Sequence, residues 1–175
     1  MVAVREFTPD DLEAVTRIYA RHVLHGTATF EEVPPSADEM WKRSEKVRAL
    51  GLPWLVAVDG PAFLGFAYAD SFRERSAYRF TLEDSVYIDP AHHRRGAGRA
   101  LLRELLVRCE KRGHRQMIAV IGDSANQASI GVHRAVGFDQ LGVYRAVGLK
   151  FGRWLDVVLM QKTLGEGDRT IPSGR

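Results

Sequence analysis

Residues 80–112 limit the folding of this chain most: a strand-like run, FTLEDSVYID, passes through PAHHRRGAGR straight into a leucine-rich helical pattern. In the run, Thr81, Glu83, Ser85 and Tyr87 alternate to one face, opposite Phe80, Leu82, Val86 and Ile88, with a bulge-prone Asp84-Ser85 pair between. Downstream, Leu101, Leu102, Leu105, Leu106 and Cys109 recur at helical spacing and predict a helix from about Arg99 to Arg112, stopped by Gly113. Gly96 and Gly98 lie between strand and helix, where free backbone N–H groups and the positive end of the helix dipole converge. Glycine leaves that backbone approachable, and Arg94, Arg95 and Arg99 add charge, so the junction suits a diphosphate. On this motif alone a second reading stays open, in which the glycines only turn the chain and the arginines are only solvated.

The rest of the chain supplies the elements around that junction. VAVREF (2–7) alternates as a short strand, and Thr8, Pro9 and Asp11 open a helix bearing Leu12, Val15, Ile18, Tyr19 and Val23 on one side. GTATFEEVPP (26–35) reads as a loop, after which Ser36 and Glu39 start a second helix running to about Leu50. WLVAV and AFLGFAYAD are strands joined by the turn DGP, and SFRERSAYR (71–79) is irregular. QMIAVIG is a buried strand, Asp123 or Ser124 caps a last helix ending at Gly137, and strands near 141–147 and 154–162 complete the order β-α-α-β-β-β-α-β-α-β-β. A 175-residue chain of this composition is expected to build one α/β domain over residues 1–164, with GEGDRTIPSGR (165–175) as a flexible tail.

Several classes fall away. The longest apolar runs are far short of the ~20 residues a membrane helix needs, and MVAVREFTPDD lacks the basic-then-apolar order of a secretion signal. A cytoplasmic protein with no membrane partner is expected. The one cysteine, Cys109, has no internal partner for a disulfide and reads as a buried, inert residue. His92 and His93 are adjacent but lack the companions of a metal site, so no metal is expected. Between His92 and Arg115 eight Lys/Arg face two Glu, which favours an anionic ligand. Nucleic acid is not expected, because aromatic residues are not interleaved with those charges. Neither a nucleoside-triphosphate loop nor a dinucleotide fingerprint is present; position 101, where the latter needs its third glycine, is Leu.

A strand, then Arg-Arg-Gly-x-Gly-x-Ala-Leu, a helix, a strand and NQASIGVHRAVGF together resemble the GCN5-related N-acetyltransferase (GNAT) superfamily over about residues 2–163. FTLEDSVYIDP, ASIGVHRAVGF and KFGRWLDVVLMQ are similar, more narrowly, to its phosphinothricin and methionine sulfoximine acetyltransferase branch. The resemblance implies a twisted, mostly antiparallel mixed sheet and acetyl-CoA as co-substrate, its pyrophosphate on the loop Arg94, Arg95, Gly96, Ala97, Gly98 and Arg99. Val86, Tyr87 and Ile88 would meet the thioester end through the backbone, and Asn126 and Ser129 would line the cofactor from the last helix. His93 departs from the Gln or Arg usual in the superfamily three residues before the first glycine. His133 stands where most of the superfamily has Tyr, a feature the phosphinothricin branch shares.

The resemblance also gives Glu83 the role of general base and His133 that of acid for the departing thiolate. The chemistry asks for both, since an amine near pKa ~10 attacks only when neutral. Phe30, Phe72 and Tyr78 are candidates for the acceptor pocket beside Glu83, Asp84 and Ser85, with Arg73 or Arg75 as forked donors to an amino-acid carboxylate. A small amino-acid-like amine is the expected acceptor and a homodimer the expected assembly. The alternatives are another primary amine (a polyamine, an aminoglycoside, a protein amino terminus) or a silent acyl-CoA sensor of the same fold.

Overall fold

The computed structural model describes residues 1–172; residues 173–175, the end of the expected tail, lie outside the described residues. The chain forms β1 (Ala3–Glu6), α1 (Leu12–His25), α2 (Ala37–Ala49), β2 (Trp54–Asp59), β3 (Ala62–Ser71) and β4 (Thr81–Ile88). It continues with α3 (Ala97–Lys111), β5 (Gln116–Gly122), α4 (Gln127–Ala135), β6 (Asp139–Lys150) and β7 (Arg153–Thr163), the order anticipated above. Thr8 and Asp11 form the expected capping box ahead of α1, and Ser36 Oγ accepts the Glu39 N–H at the head of α2.

All seven strands join one sheet in the order β1-β2-β3-β4-β5-β7-β6. Every pairing is antiparallel except β4 with β5, the parallel pair that needs a long crossover, and α3 supplies it. Helices cover the sheet. Trp54 pairs with Tyr68 and Phe66 with Tyr87, so these rings share one face, where Tyr87 meets Tyr19 and His22 of α1. Ala57, Ala67 and Ala69 lie on the other face, and these small side chains let the Leu101, Leu102 and Leu105 face of α3 come close.

Three sequence expectations need correction. β3 and β4 stay in unbroken register from Gly65 opposite Ile88 to Ser71 opposite Leu82, so no bulge forms at Asp84-Ser85. Instead β4 pairs with β5 only from Thr81 to Asp84 and then parts from it, while β5 continues against β7 on its other edge to Gly122. Secondly, Asn126, not Asp123 or Ser124, caps α4: its Oδ1 accepts the Ser129 N–H, while Asp123 closes the preceding turn by accepting from Ala125. Thirdly, β6 and β7 reach further than their apolar patterns. Phe151 (φ 53°) and Gly152 (φ 70°) form a two-residue turn with both residues left-handed, and register shifts after Gln140 and Tyr144 break the alternation that would have marked β6. Beyond β7, Leu164 is buried and Glu166 accepts hydrogen bonds from Thr170 and Arg115.

Candidate active site

The parting of β4 and β5 opens the sheet at its middle and leaves an edge of β4 without a strand partner from Ser85 onward. Two cavities occupy this opening. The larger, about 810 Å³, is lined by Val86, Ile88, His93, Arg94, Gly96, Ala97, Gly98 and Arg99, by Asn126, Ser129 and Val132 of the α4 region, and by His22 and Gly26 to Ala28. The smaller, about 270 Å³, is lined by Phe30, Glu83, Asp84, Ser85, Val86, Tyr87, Ile121, Asn126, Ser129 and His133. Ala28, Val86, Asn126 and Ser129 line both, so the two cavities adjoin along these residues.

The larger cavity is made for a long anionic ligand. The first N–H groups of any α-helix lack intrahelical acceptors, and at α3 the N-cap is Gly96, which has no side chain to satisfy them. Gly96 is left-handed at φ 83° and Arg94 at φ 64°, a kink that turns successive backbone N–H groups toward one concavity. At Gly96 glycine is needed for the backbone angle, since a Cβ there would meet nothing within 4 Å. At Gly98 a Cβ would sit 3.6 Å from Ile88 and Val132, residues of the cavity wall, and would take space from the ligand. The guanidinium of Arg95 pairs with Asp59 of β2 at 2.5 Å. The cavity and its unsatisfied helix end fit the pantetheine and diphosphate of acetyl-CoA.

The smaller cavity carries the titratable groups. Burial, then the negative charges of Asp84 and Asp70, raise Glu83 to about 7, with Arg73 pulling the other way. Asp70 is its direct partner across β3 and β4, which explains why that charge counts. His133, 2% exposed, has both ring nitrogens engaged: Nδ1 donates to the Ser129 carbonyl at 2.7 Å and Nε2 lies 2.9 Å from Asp84 Oδ2. Burial opposes its charge, but the bond to Asp84 and that carboxylate's field prevail and raise its pKa, so the pocket favours an imidazolium against a carboxylate. Asp84 Oδ1 is buried without a hydrogen-bond partner.

Other expected residues lie apart. Phe72 and Tyr78 pack edge to face 5.7 Å apart with Arg73 over the Phe72 ring, and with exposed Arg75 they stand outside both cavities. Conversely, His22 joins the larger cavity and its Nε2 donates to the Ile88 carbonyl at 2.9 Å. Nothing in the α1 pattern except a polar residue one position from Val23 would have pointed to it. Among the described residues, no group of three His, Cys, Asp or Glu is arranged to hold a metal, and no helix is long and apolar enough to cross a membrane.

A split parallel pair beside a glycine-capped helix, with a raised carboxylate at its mouth, defines an acyltransferase built for a CoA thioester. The profile of the Acetyltransferase (GNAT) family matches residues 16–138, and the chain belongs to that family. It is 57% identical to the phosphinothricin N-acetyltransferase of Alcaligenes faecalis, covering 97% of this chain and 86% of that one. It is 38% identical to the L-methionine sulfoximine/L-methionine sulfone acetyltransferase of Salmonella typhimurium, over 89% and 91% of the two chains. Among solved structures, the phosphinothricin acetyltransferase of Sinorhizobium meliloti in complex with AcCoA superposes with a TM-score of 0.95 at 48% identity, covering 98% of this chain and 93% of that one.

Proposed function

We propose that this protein transfers the acetyl group of acetyl-CoA to the amino group of a small L-amino acid or analogue, of the phosphinothricin, methionine sulfoximine or methionine sulfone kind. The observation that carries the reading is Glu83: a carboxylate brought to about 7, in a cavity that adjoins the one that fits the acyl carrier. The names of the relatives support the acceptor class.

Bound acetyl-CoA brings an activated acetyl thioester; the chain supplies everything else. Glu83 is half ionised near neutrality, so it can take the proton an acceptor ammonium must lose and keep it through the attack. The β4 edge beside Val86 and Tyr87, free of β5, offers backbone N–H groups to the carbonyl oxygen as negative charge develops on it. His22 fixes the neighbouring Ile88 carbonyl and so stiffens that edge. We assign protonation of the departing thiolate to the His133 side, where Ser129 Oγ, 3.4 Å from Nδ1, can relay a proton outward from the buried imidazolium. Phe30, in the smaller cavity, bounds the acceptor pocket; Arg73, already felt by Glu83, is the nearer of the two arginines assigned to an acceptor carboxylate. The domain is assigned to residues 1–164, the working compartment to the cytoplasm and the assembly to a homodimer.

The test is release of free thiol from acetyl-CoA with a panel of amines: phosphinothricin, methionine sulfoximine, methionine sulfone, spermidine and an aminoglycoside. Turnover is expected with the three amino-acid analogues at a kcat/KM well above that for the other two. The reverse ranking would refute the acceptor class, and no thiol release with any amine would refute the enzyme.

A further inference from the structure

The loop between α1 and α2 is a wall of both cavities: Gly26, Thr27 and Ala28 line the larger, Ala28, Thr29 and Phe30 the smaller. Connecting loops are ordinarily the most mobile part of a fold. This one is fastened from behind by the β6–β7 hairpin. Lys150, the last residue of β6, is 1% exposed, and its Nζ donates to the carbonyl oxygens of Gly26 at 2.9 Å and Thr29 at 2.8 Å. Its partners are main-chain carbonyls and not a carboxylate, so the charge is buried at a cost that a surface lysine would avoid. That burial draws its pKa down, with Glu32 and Glu31 pulling the other way.

A second contact acts on the same loop. The Phe30 ring lies against the bare backbone of Gly122 in β5 and Gly148 in β6, where a Cβ on either glycine would collide with it. From α1, Tyr19 Oη lies 3.1 Å from Thr29 Oγ1 and donates to Glu31 at 2.8 Å. The loop is thus gripped from both sides, and the hairpin's share rests on one ammonium and one glycine slot.

We propose that Lys150 is a positioning residue for acceptor recognition: by holding the Gly26 and Thr29 carbonyls it sets where Thr29 and Phe30 stand in the cavity that contains Glu83. The proposal rests on the acetyltransferase reading for its kinetic arm, and on the free protein for its other arm. Lys150→Met keeps the length of the side chain and removes the ammonium. It should raise KM for the best amine of the panel about tenfold while kcat and the Kd of acetyl-CoA change by less than about threefold. In the free protein, hydrogen exchange of residues 26–31 should quicken by about tenfold or more. Lys150→Arg, which keeps the charge and its donors, should restore most of both. Gly148→Ala, which displaces Phe30 without touching the ammonium, should raise the same KM.

A folded Lys150→Met protein with unchanged loop exchange and unchanged acceptor KM overturns the proposal. So does a general loss, in which Tm and acetyl-CoA affinity fall together and Gly148→Ala leaves the acceptor KM alone. Should the wild type turn over no amine, the acetyltransferase reading fails by itself, and loop exchange in the free variant still decides whether Lys150 holds the loop.

Discussion

At Glu83 the chemistry and the titration are bound to one carboxyl group. Its folded pKa of about 7 lies above the ordinary 4.5, so the folded protein binds the extra proton and the unfolded chain does not between those values. Stability contributed by this group is therefore complete below pH 4.5 and is lost as pH rises through about 7. On the proposed mechanism activity runs the opposite way, since the proposed base must be ionised. The kcat/KM profile should climb with an apparent pKa near 7, and Glu83→Gln should abolish that limb, lowering kcat about a hundredfold or more while acetyl-CoA still raises Tm. A Glu83→Gln enzyme with an unaltered pH limb would remove Glu83 from the mechanism. The family resemblance singled out Glu83 in FTLEDSVYID as the proposed base, but its raised pKa was not legible there. That comes first from burial, then from Asp84, and then from Asp70, which is 13 positions away in sequence and adjacent only because β3 pairs with β4 in this register. The Asp84–His133 pair was hidden for the same reason: the two side chains meet across 49 residues, and no local pattern announces a long-range contact.

Among the elements, α3 and its entry loop were the most readable, because a leucine stripe and two glycines are local signals. Their agreement with the structure gives a sharp expectation for Gly96. A β-branched residue forced to φ 83° is strained by about 1–3 kcal/mol and would move the N–H groups it is meant to present. Gly96→Val should weaken acetyl-CoA at least about tenfold by calorimetry and lower Tm, whereas Gly131→Ala, in open space inside α4, should leave that affinity unchanged and raise Tm slightly. Equal affinity for acetyl-CoA in Gly96→Val would remove the diphosphate from this loop. The split between β4 and β5 was less legible. The Asp84-Ser85 pair suggested a bulge, yet β4 keeps its register with β3 and leaves β5 after Asp84, while β5 runs on along its other edge against β7. A strand's second neighbour is a property of topology and is not written in its own residues. β6 was foreshortened in the same way, since two register shifts hid its alternation. The expected arginine clamp is a subtler case. Arg94, Arg95 and Arg99 carry the same charge in sequence, but only Arg95 has its side chain paired with Asp59 at the β2–β3 turn, a contact 36 positions away that no local pattern shows.

For the molecule as a whole, the open question is what covers its far edge. β6 ends the sheet, 12 residues long and paired on one side only, and an edge of that length invites pairing with another chain. Along it and across the turn, Leu141, Tyr144, Val147, Leu149, Phe151 and Trp154 are each more than half exposed. Six exposed apolar side chains on one hairpin are more apolar surface than a monomer usually leaves to water in one element. A second copy of the chain is the occupant that the homodimer reading requires, and the same hairpin carries Lys150 between Leu149 and Phe151. Covering the outer residues would hold the hairpin, and through Lys150 the loop that lines both cavities. Sedimentation equilibrium at micromolar protein should return twice the 19.6 kDa of one chain. Trp154→Glu, which places a charge in the middle of that surface, should return a single chain. Its Tm should fall by several degrees, as expected when about 1–2 kcal/mol of association is lost, and its acceptor KM should rise in step with dissociation. A wild type that sediments as one chain, or a Trp154→Glu protein that still pairs, would mean that this face serves some other contact and that the loop is held by the single chain alone.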